Sequence, residues 1–312
     1  MTDSGSRVVE LVESALGPVV KGLLLDPHIS EIRLNSDGAL WANKLGVGKF
    51  DTSHKIAPES AKRAIEAVAY SVGECCNEQK PAISAELPGT GERFQGVLPP
   101  LSKGPVIAIR KKATRIFSLT DFEAQGVLAL GQKEQLCEAL HKKRNILIVG
   151  GTDSGKTTFA NALLQVIADT KDRVVIIEDT QELQCNATDV EYLRTRDGVA
   201  SLRDLVRVTM RLSPDRIVIG EVRGAEALDL IKAWNTGHGG GVSTVHASSA
   251  RQGLSRIEQL VQEAGVAPSR PMLAEAINIV IYMEKVGTKR LVKDVLEVKG
   301  FEHEAYVLTK LM

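Results

Sequence analysis

Apolar positions along the chain change rhythm near its first third. Residues 6–25 carry apolar side chains at helical spacing, and Pro58 opens a second helical stretch through Val72 with Ala61, Ile65, Val68 and Ala69 on one face. Between and after these lie short strand-like runs. Glu31–Leu34 and Ala39–Asn43 are joined by the turn signal Asn35-Ser36-Asp37-Gly38, and Arg93–Leu98 and Val106–Arg110 follow. This mixture predicts an α+β domain over residues 1–112. Residues 113–131 read as a connector, made basic at its start by Lys111, Lys112 and Arg115, with Thr120 or Asp121 placed to cap a short helix.

From residue 132 the pattern becomes a strict alternation. A helix at 132–143 is followed by strand Ile146–Val149, helix Thr157–Ile167 and strand Arg173–Ile177. A helix near 201–212, strand Arg216–Ile219, a helix near 224–234, strand Val242–Val245 and a helix at 250–263 come next. Three strand-like runs close the chain: Ile279–Met283, Leu291–Glu297 and Tyr306–Leu311. Alternation of this kind predicts a mostly parallel sheet with helices on both faces over residues 132–312.

Composition narrows the picture only a little. A chain of 312 residues accommodates two domains, and 43% hydrophobic content builds real cores. Lys plus Arg equals Asp plus Glu at 39 each, which argues against a protein held on nucleic acid by bulk charge. No apolar run approaches the roughly 20 residues that span a bilayer, and the first residues lack the features of a signal peptide. The expected location is therefore the cytoplasm. Cys75, Cys76, Cys137 and Cys185 show no CxxC spacing and read as reduced thiols rather than a zinc site.

The candidate chemistry begins where strand Ile146–Val149 ends. Gly150, Gly151, Thr152, Asp153, Ser154, Gly155, Lys156, Thr157 and Thr158 spell a phosphate-binding loop, Gly-x4-Gly-Lys-Thr, with a strand before it and a helix after it. Backbone N–H groups of such a loop converge on phosphate oxygens at a helix N-terminus. Lys156 supplies a cation for the outer phosphates of ATP, and the Thr157 hydroxyl is a ligand for magnesium. Asp153 is out of character in a phosphate cradle, and its side chain is expected to point outward. Ligands of parallel α/β sheets bind beyond the carboxyl ends of the strands. There the sequence places Glu178 and Asp179, Gly220-Glu221, and His246. The set fits phosphoryl transfer to water. Glu221 is the candidate to orient the water, Glu178 or Asp179 to serve the magnesium shell or share that task, and His246 to sense the outer phosphate. A capping histidine after a strand is the ordinary alternative for His246, and a solvated turn or helix cap for Glu178-Asp179.

Four blocks, GGTDSGKTT, IIEDTQELQ, MRLSPDRIVIGEVRG and TGHGGGVSTVHASSA, together resemble the secretion ATPases of type II and type IV secretion systems. More loosely, ISEIRLNSDGALW and GERFQGVLPP followed by VIAIRKK resemble the N-terminal domain of that family, and the short linker between the halves is similar to its type IV secretion and conjugation branch. The resemblance implies an α/β fold, a RecA-like P-loop NTPase domain with a mostly parallel sheet, preceded by a smaller α+β N-terminal domain. It implies Mg-dependent ATP hydrolysis by a homo-hexameric ring, docked on inner-membrane components of a secretion or conjugation channel and peripheral to the inner face of the cytoplasmic membrane. No tight direct binding of nucleic acid is expected. By the same resemblance Arg93 and Arg110 contact the nucleotide, Arg223 lies near the phosphates at a subunit boundary, and His238 matches a second family histidine. The family usually has glycine where Asp153 stands. A pilus-retraction or type II secretion motor, a RecA-like nucleic-acid motor and a nucleotide-binding scaffold are the competing readings. Missing CxxC pairs disfavour the type II branch, and neutral charge disfavours the nucleic-acid motor.

Overall fold

The computed structural model describes residues 3–111, 116–196, 198–287 and 289–311, and only the backbone of residues 3–6. Lys112 and Arg115 of the expected basic connector lie outside the described residues. The chain divides into two compact units, Met1–Thr114 and Arg115–Met312. Among the described residues no helix is long and apolar enough to cross a membrane.

The first unit opens with α1 (Asp3–Leu25), which breaks at Gly17-Pro18, where Gly17 takes φ 80°. Proline lacks the helical donor and glycine tolerates that backbone, so the break falls at this pair. Then come β1 (Ile29–Leu34), β2 (Ala39–Lys44), β3 (Gly48–Lys55), α2 (Pro58–Ser71), β4 (Ala82–Glu86), β5 (Arg93–Val97) and β6 (Val106–Arg110). The six strands form one sheet in the order β3-β2-β1-β6-β5-β4, antiparallel at every junction. Val12, Leu16 and Val20 of α1, with Ala61, Ala64, Ile65 and Val68 of α2, bury against alternate residues of the strands such as Ile32, Leu40, Phe94 and Ile109. Glycine at position 96 lets α2 come close, since a Cβ there would lie 2.9 Å from Ile65 Cγ2. The four expected strands are present with ends within two residues. Strands β3 and β4 carry no pattern that foretells them.

The second unit runs α3 (Leu119–Ala124), α4 (Gln132–His141), β7 (Ile146–Gly150), α5 (Lys156–Ala168), β8 (Val174–Glu178), β9 (Val190–Arg194), α6 (Leu202–Thr209), β10 (Arg216–Ile219), α7 (Glu226–Asn235), β11 (Val242–Val245), α8 (Ala250–Gln262), α9 (Arg270–Ala276), β12 (Ile279–Val286), β13 (Lys289–Glu302) and β14 (Ala305–Lys310). Its eight strands are ordered β14-β13-β12-β7-β11-β10-β8-β9. The six from β12 to β9 are parallel, and β13 and β14 join antiparallel, which makes the sheet mixed. Strand β7 shows why the central run is apolar throughout. Leu147 and Val149 enter the core under α6 to α9, whereas Ile146 and Ile148 enter the core under α3 to α5.

The expected connector is shorter than its composition predicts. Ser118, rather than Thr120 or Asp121, caps α3, with Asp121 closing a reciprocal capping box. Leu119 and Phe122 are buried in the second core, and Phe122 meets Phe159 of α5 edge to face at 5.1 Å. The segment from Phe117 onward is thus part of the second unit.

Candidate active site

Parallel register gathers the strand ends. Val149 of β7 lies beside Val245 of β11, Ile219 of β10 beside Ser243 of β11, and Ile177 of β8 beside Ile219. The residues that leave these strands, Gly150, His246, Gly220-Glu221 and Glu178-Asp179, therefore share one edge of the sheet. Gly155 starts α5 in the left-handed region, φ 95°, and no side chain caps that helix. The first N–H groups of a helix have no intrahelical acceptor, so this end favours an anion. Lys156 is buried, and its Nζ donates to the carbonyls of Gly150 and Gly151 at 2.9 Å each. The ammonium thus lies folded on the loop it serves. Ser154 is buried with its hydroxyl unpartnered. Gly151, Thr152 and Asp153 are exposed, while Thr157 and Thr158 are half-buried.

Asp153 takes φ 59°. Glycine adopts that conformation freely, and aspartate is among the few other residues that visit it. The backbone conformation alone is thus a reason for glycine to suit this position, without involving the phosphates. The carboxylate stands 3.8 Å from Lys285 Nζ, and both side chains are substantially exposed, as the outward orientation expected of Asp153 requires.

From the loop a chain of polar contacts crosses the sheet edge. Lys156 Nζ lies 3.5 Å from His246 Nδ1, and His246 Nε2 lies 2.9 Å from Glu221 Oε1. That second contact is short but misaligned, so buried Oε1 has no hydrogen bond of good geometry. The other oxygen, Oε2, accepts from Arg223 Nε at 2.9 Å. Arg223 Nη1 reaches Asp179 Oδ2 at 3.3 Å, and Asp179 Oδ1 accepts from the Thr195 hydroxyl at 3.0 Å. Burial, reinforced by the Lys156 charge and by Arg223, depresses the His246 pKa against the opposing pull of Glu221. The imidazole is therefore neutral near pH 7. Burial works against the Arg223 charge, yet the hydrogen bond and charge of Glu221, with Asp179, outweigh it and raise the arginine pKa.

The two acids after β8 part company. Glu178 is buried, and its Oε1 accepts from the backbone N–H groups of Glu182 and Leu183, which braces the turn. Its Cγ would lie 2.8 Å from a Cβ at position 220, so Gly220 makes room for this brace. Asp179 is the acid that joins the charged chain. His238 belongs elsewhere: it precedes β11, at the opposite end of the sheet, and its Nδ1 is 2.9 Å from the Pro214 carbonyl. In the first unit, Arg93 and Arg110 stand directly opposite one another on β5 and β6, with Glu86 opposite Arg93 and Glu31 opposite Arg110. Sequence reasoning missed Thr195, which follows the unforeseen strand β9, and Arg290 of β13, whose Nε donates to the Asp153 carbonyl at 3.1 Å.

Known proteins resemble this chain closely. The sequence model of the family described as type II/IV secretion system protein matches residues 78–297. The chain is 40% identical to the conjugal transfer protein TrbB of Rhizobium radiobacter over 305 residues, covering 97% of this chain and 94% of that one. It is 31% identical to the type IV secretion system protein PtlH of Bordetella pertussis, over 86% of this chain and 89% of the relative. Among solved structures, the pilus retraction motor PilT with bound ADP has the same fold, with a TM-score of 0.64 at 20% identity, over 94% of this chain and 82% of the other.

Proposed function

The chain belongs to the type II/IV secretion system protein family, and from that premise we propose that it is an ATP-hydrolysing motor of a type IV secretion or conjugative transfer apparatus. It works as a homo-hexameric ring, peripheral to the inner face of the cytoplasmic membrane and docked on components of the channel. The observation that carries the reading is the succession of close polar contacts from Lys156 through His246 to Glu221, Arg223 and Asp179. It joins a phosphate loop to the residues that chemistry on its outer phosphate requires.

In this reading Lys156 exchanges the Gly150 and Gly151 carbonyls for phosphate oxygens, and the uncapped start of α5 holds further oxygens through backbone N–H groups. The buried, poorly satisfied Oε1 of Glu221 orients and polarises the attacking water. Neutral His246, between that carboxylate and Lys156, responds to the outer phosphate. Arg223 and Asp179 fix the rotamer of Glu221. By family resemblance alone, Arg93 and Arg110 are the candidates to neutralise nucleotide charge; on their own sheet they stand opposite one another and opposite the acids Glu86 and Glu31. Among the described residues no group of three His, Cys, Asp or Glu side chains gathers to hold a metal. Magnesium would be carried on the nucleotide phosphates, with the hydroxyl of half-buried Thr157, in the first turn of α5, as its protein ligand. When bound, the ion offsets charge that develops during phosphoryl transfer.

The test is steady-state ATP hydrolysis by purified protein with and without magnesium, alongside mass in solution. Lys156→Ala and Glu221→Gln should each lower turnover about 100-fold or more in folded protein. Turnover like wild type in both variants would sink the proposal, and a monomer under all nucleotide conditions would sink the ring.

A further inference from the structure

A hairpin reaches the phosphate loop from far along the chain. Lys285 on β12 lies directly opposite Arg290 on β13, so the two cations share one face of the hairpin, an arrangement that repels unless an anion joins it. Asp153 joins it, with its carboxylate 3.8 Å from Lys285 Nζ and its carbonyl 3.1 Å from Arg290 Nε. The Arg290 stem also covers the loop. A Cβ on Gly155 would come within 3.2 Å of Arg290 Cδ and 3.5 Å of Met283 Cε. Beneath this contact Met283 of β12 pairs with Gly150 of β7, and a Cβ on Gly150 would meet the Met283 carbonyl at 2.5 Å. The hairpin base is thus fixed to the start of the loop, and its two cations meet the loop again at Asp153.

Asp153 has reason to be held. It is the only acid in the loop, and it occupies a left-handed conformation, φ 59°, that costs any residue with a side chain more than it costs glycine. We infer that Arg290 is a positioning residue for the phosphate loop: it fixes the carbonyl of left-handed Asp153, while Lys285 stands against the carboxylate. The hairpin thereby does for this aspartate what glycine would do unaided. The consequence for nucleotide affinity rests on the function proposed above, whereas the consequence for the loop itself does not.

The experiment keeps the two apart. Backbone hydrogen exchange in residues 151–155 is measured on the full chain without nucleotide, and affinity is measured separately with a fluorescent ATP analogue. Arg290→Ala should speed exchange of these amides about tenfold or more and weaken the analogue by a similar factor, against a background of unchanged exchange in the sheet. In an Asp153→Gly background the same substitution should change both quantities by less than about twofold, because glycine needs no brace. Arg290→Gln, which keeps part of the stem, repeats the test if the alanine variant does not fold. Unchanged loop exchange, or equal acceleration in both backgrounds, overturns the inference. If the loop loosens as expected but wild-type protein binds no ATP analogue, the nucleotide reading falls and the positioning role stands.

Discussion

At the amino end of the parallel strands, Arg216 is 1% exposed and every arm of its guanidinium is engaged. Nε donates to Asp172 at 2.7 Å, Nη1 to the Gly240 carbonyl and Nη2 to the Leu140 carbonyl. Lys143 completes the Asp172 pair at 2.9 Å, and these two cations hold the aspartate pKa down although burial works against it. At the carboxyl end, Arg223 is 52% exposed and leans on Glu221 and Asp179, beside a histidine in misaligned contact. The same residue types, arginine, aspartate, lysine, histidine and glycine, occur at both ends. Only the amino end is closed by complete hydrogen bonding, as buried charges demand. The carboxyl end keeps an unsatisfied carboxylate oxygen and a lysine parked on carbonyls, which are groups left able to change partner. Completeness of satisfaction, rather than residue type, separates the closed amino end from the end proposed for chemistry.

The largest effect that would break this contrast is at Arg216. Arg216→Met leaves Asp172 and two carbonyls short of a donor, and should cost about 3 kcal/mol or more of folding stability by denaturant titration. A loss below about 1 kcal/mol would mean that the amino end is not the closed structural network described. Glu221→Gln should behave in the opposite sense. It should lower turnover about 100-fold or more while leaving stability within about 1 kcal/mol, because an oxygen without an aligned donor contributes little to folding. Equal damage to stability at both ends would erase the distinction.

The two histidines sharpen it at smaller magnitude. His246→Asn should reduce turnover about tenfold, whereas His238→Ala should leave turnover intact and cost about 1 kcal/mol of stability, the worth of one hydrogen bond to Pro214. The pH dependence follows from the sign of the His246 shift. Its pKa lies below the ordinary value of 6.5 in the folded state, so the stability it contributes is present above pH 6.5 and is lost as pH falls through the depressed pKa. Turnover should be flat above 6.5 and decline only below it, since protonation sets a cation against Lys156 and Arg223. An NMR titration placing the His246 pKa above 6.5 would contradict this account.

The same contrast explains how much the chain disclosed before its structure was known. Central strands were legible because both faces are buried: Ile146 to Val149, Val174 to Ile177 and Ile217 to Ile219 are apolar without interruption. The overlooked strands β3, β4 and β9 are all edge strands. Gly48–Lys55 buries none of its residues fully, and a strand covered on one face, carrying polar residues on the other, has half the signal. Helix α9 is seven residues long, too short for its period to stand out. The candidate site was legible to the extent that it lies immediately after those apolar runs, which is why Glu178, Asp179, Glu221 and His246 could be named as candidates. Their packing partners were not. That Glu178 turns back to backbone N–H groups, that His238 lies at the wrong end, and that Arg290 meets Asp153 across 137 positions are facts of tertiary packing, which local pattern does not encode.

Thr195 offers the finest test of the chemical end. It follows edge strand β9, and its N–H donates to the Glu178 carbonyl at 3.1 Å while its hydroxyl donates to Asp179 Oδ1. The backbone bond ties the segment after β9 to β8, and the side-chain bond sets how Asp179 presents Oδ2 to Arg223. Thr195→Val preserves shape and the backbone bond but removes the hydroxyl. A single exposed hydrogen bond is worth about 1 kcal/mol at most, so the expected effect is at most about a fivefold loss of turnover. Because the carboxylate it orients acts only through Arg223 on Glu221, the loss should disappear in an Arg223→Ala background. Thr195→Ser, which restores the hydroxyl, should recover wild-type turnover. An equal loss in both backgrounds, or no recovery with serine, would show that Thr195 shapes the fold near β9 and has no part in aligning the carboxylate at the loop.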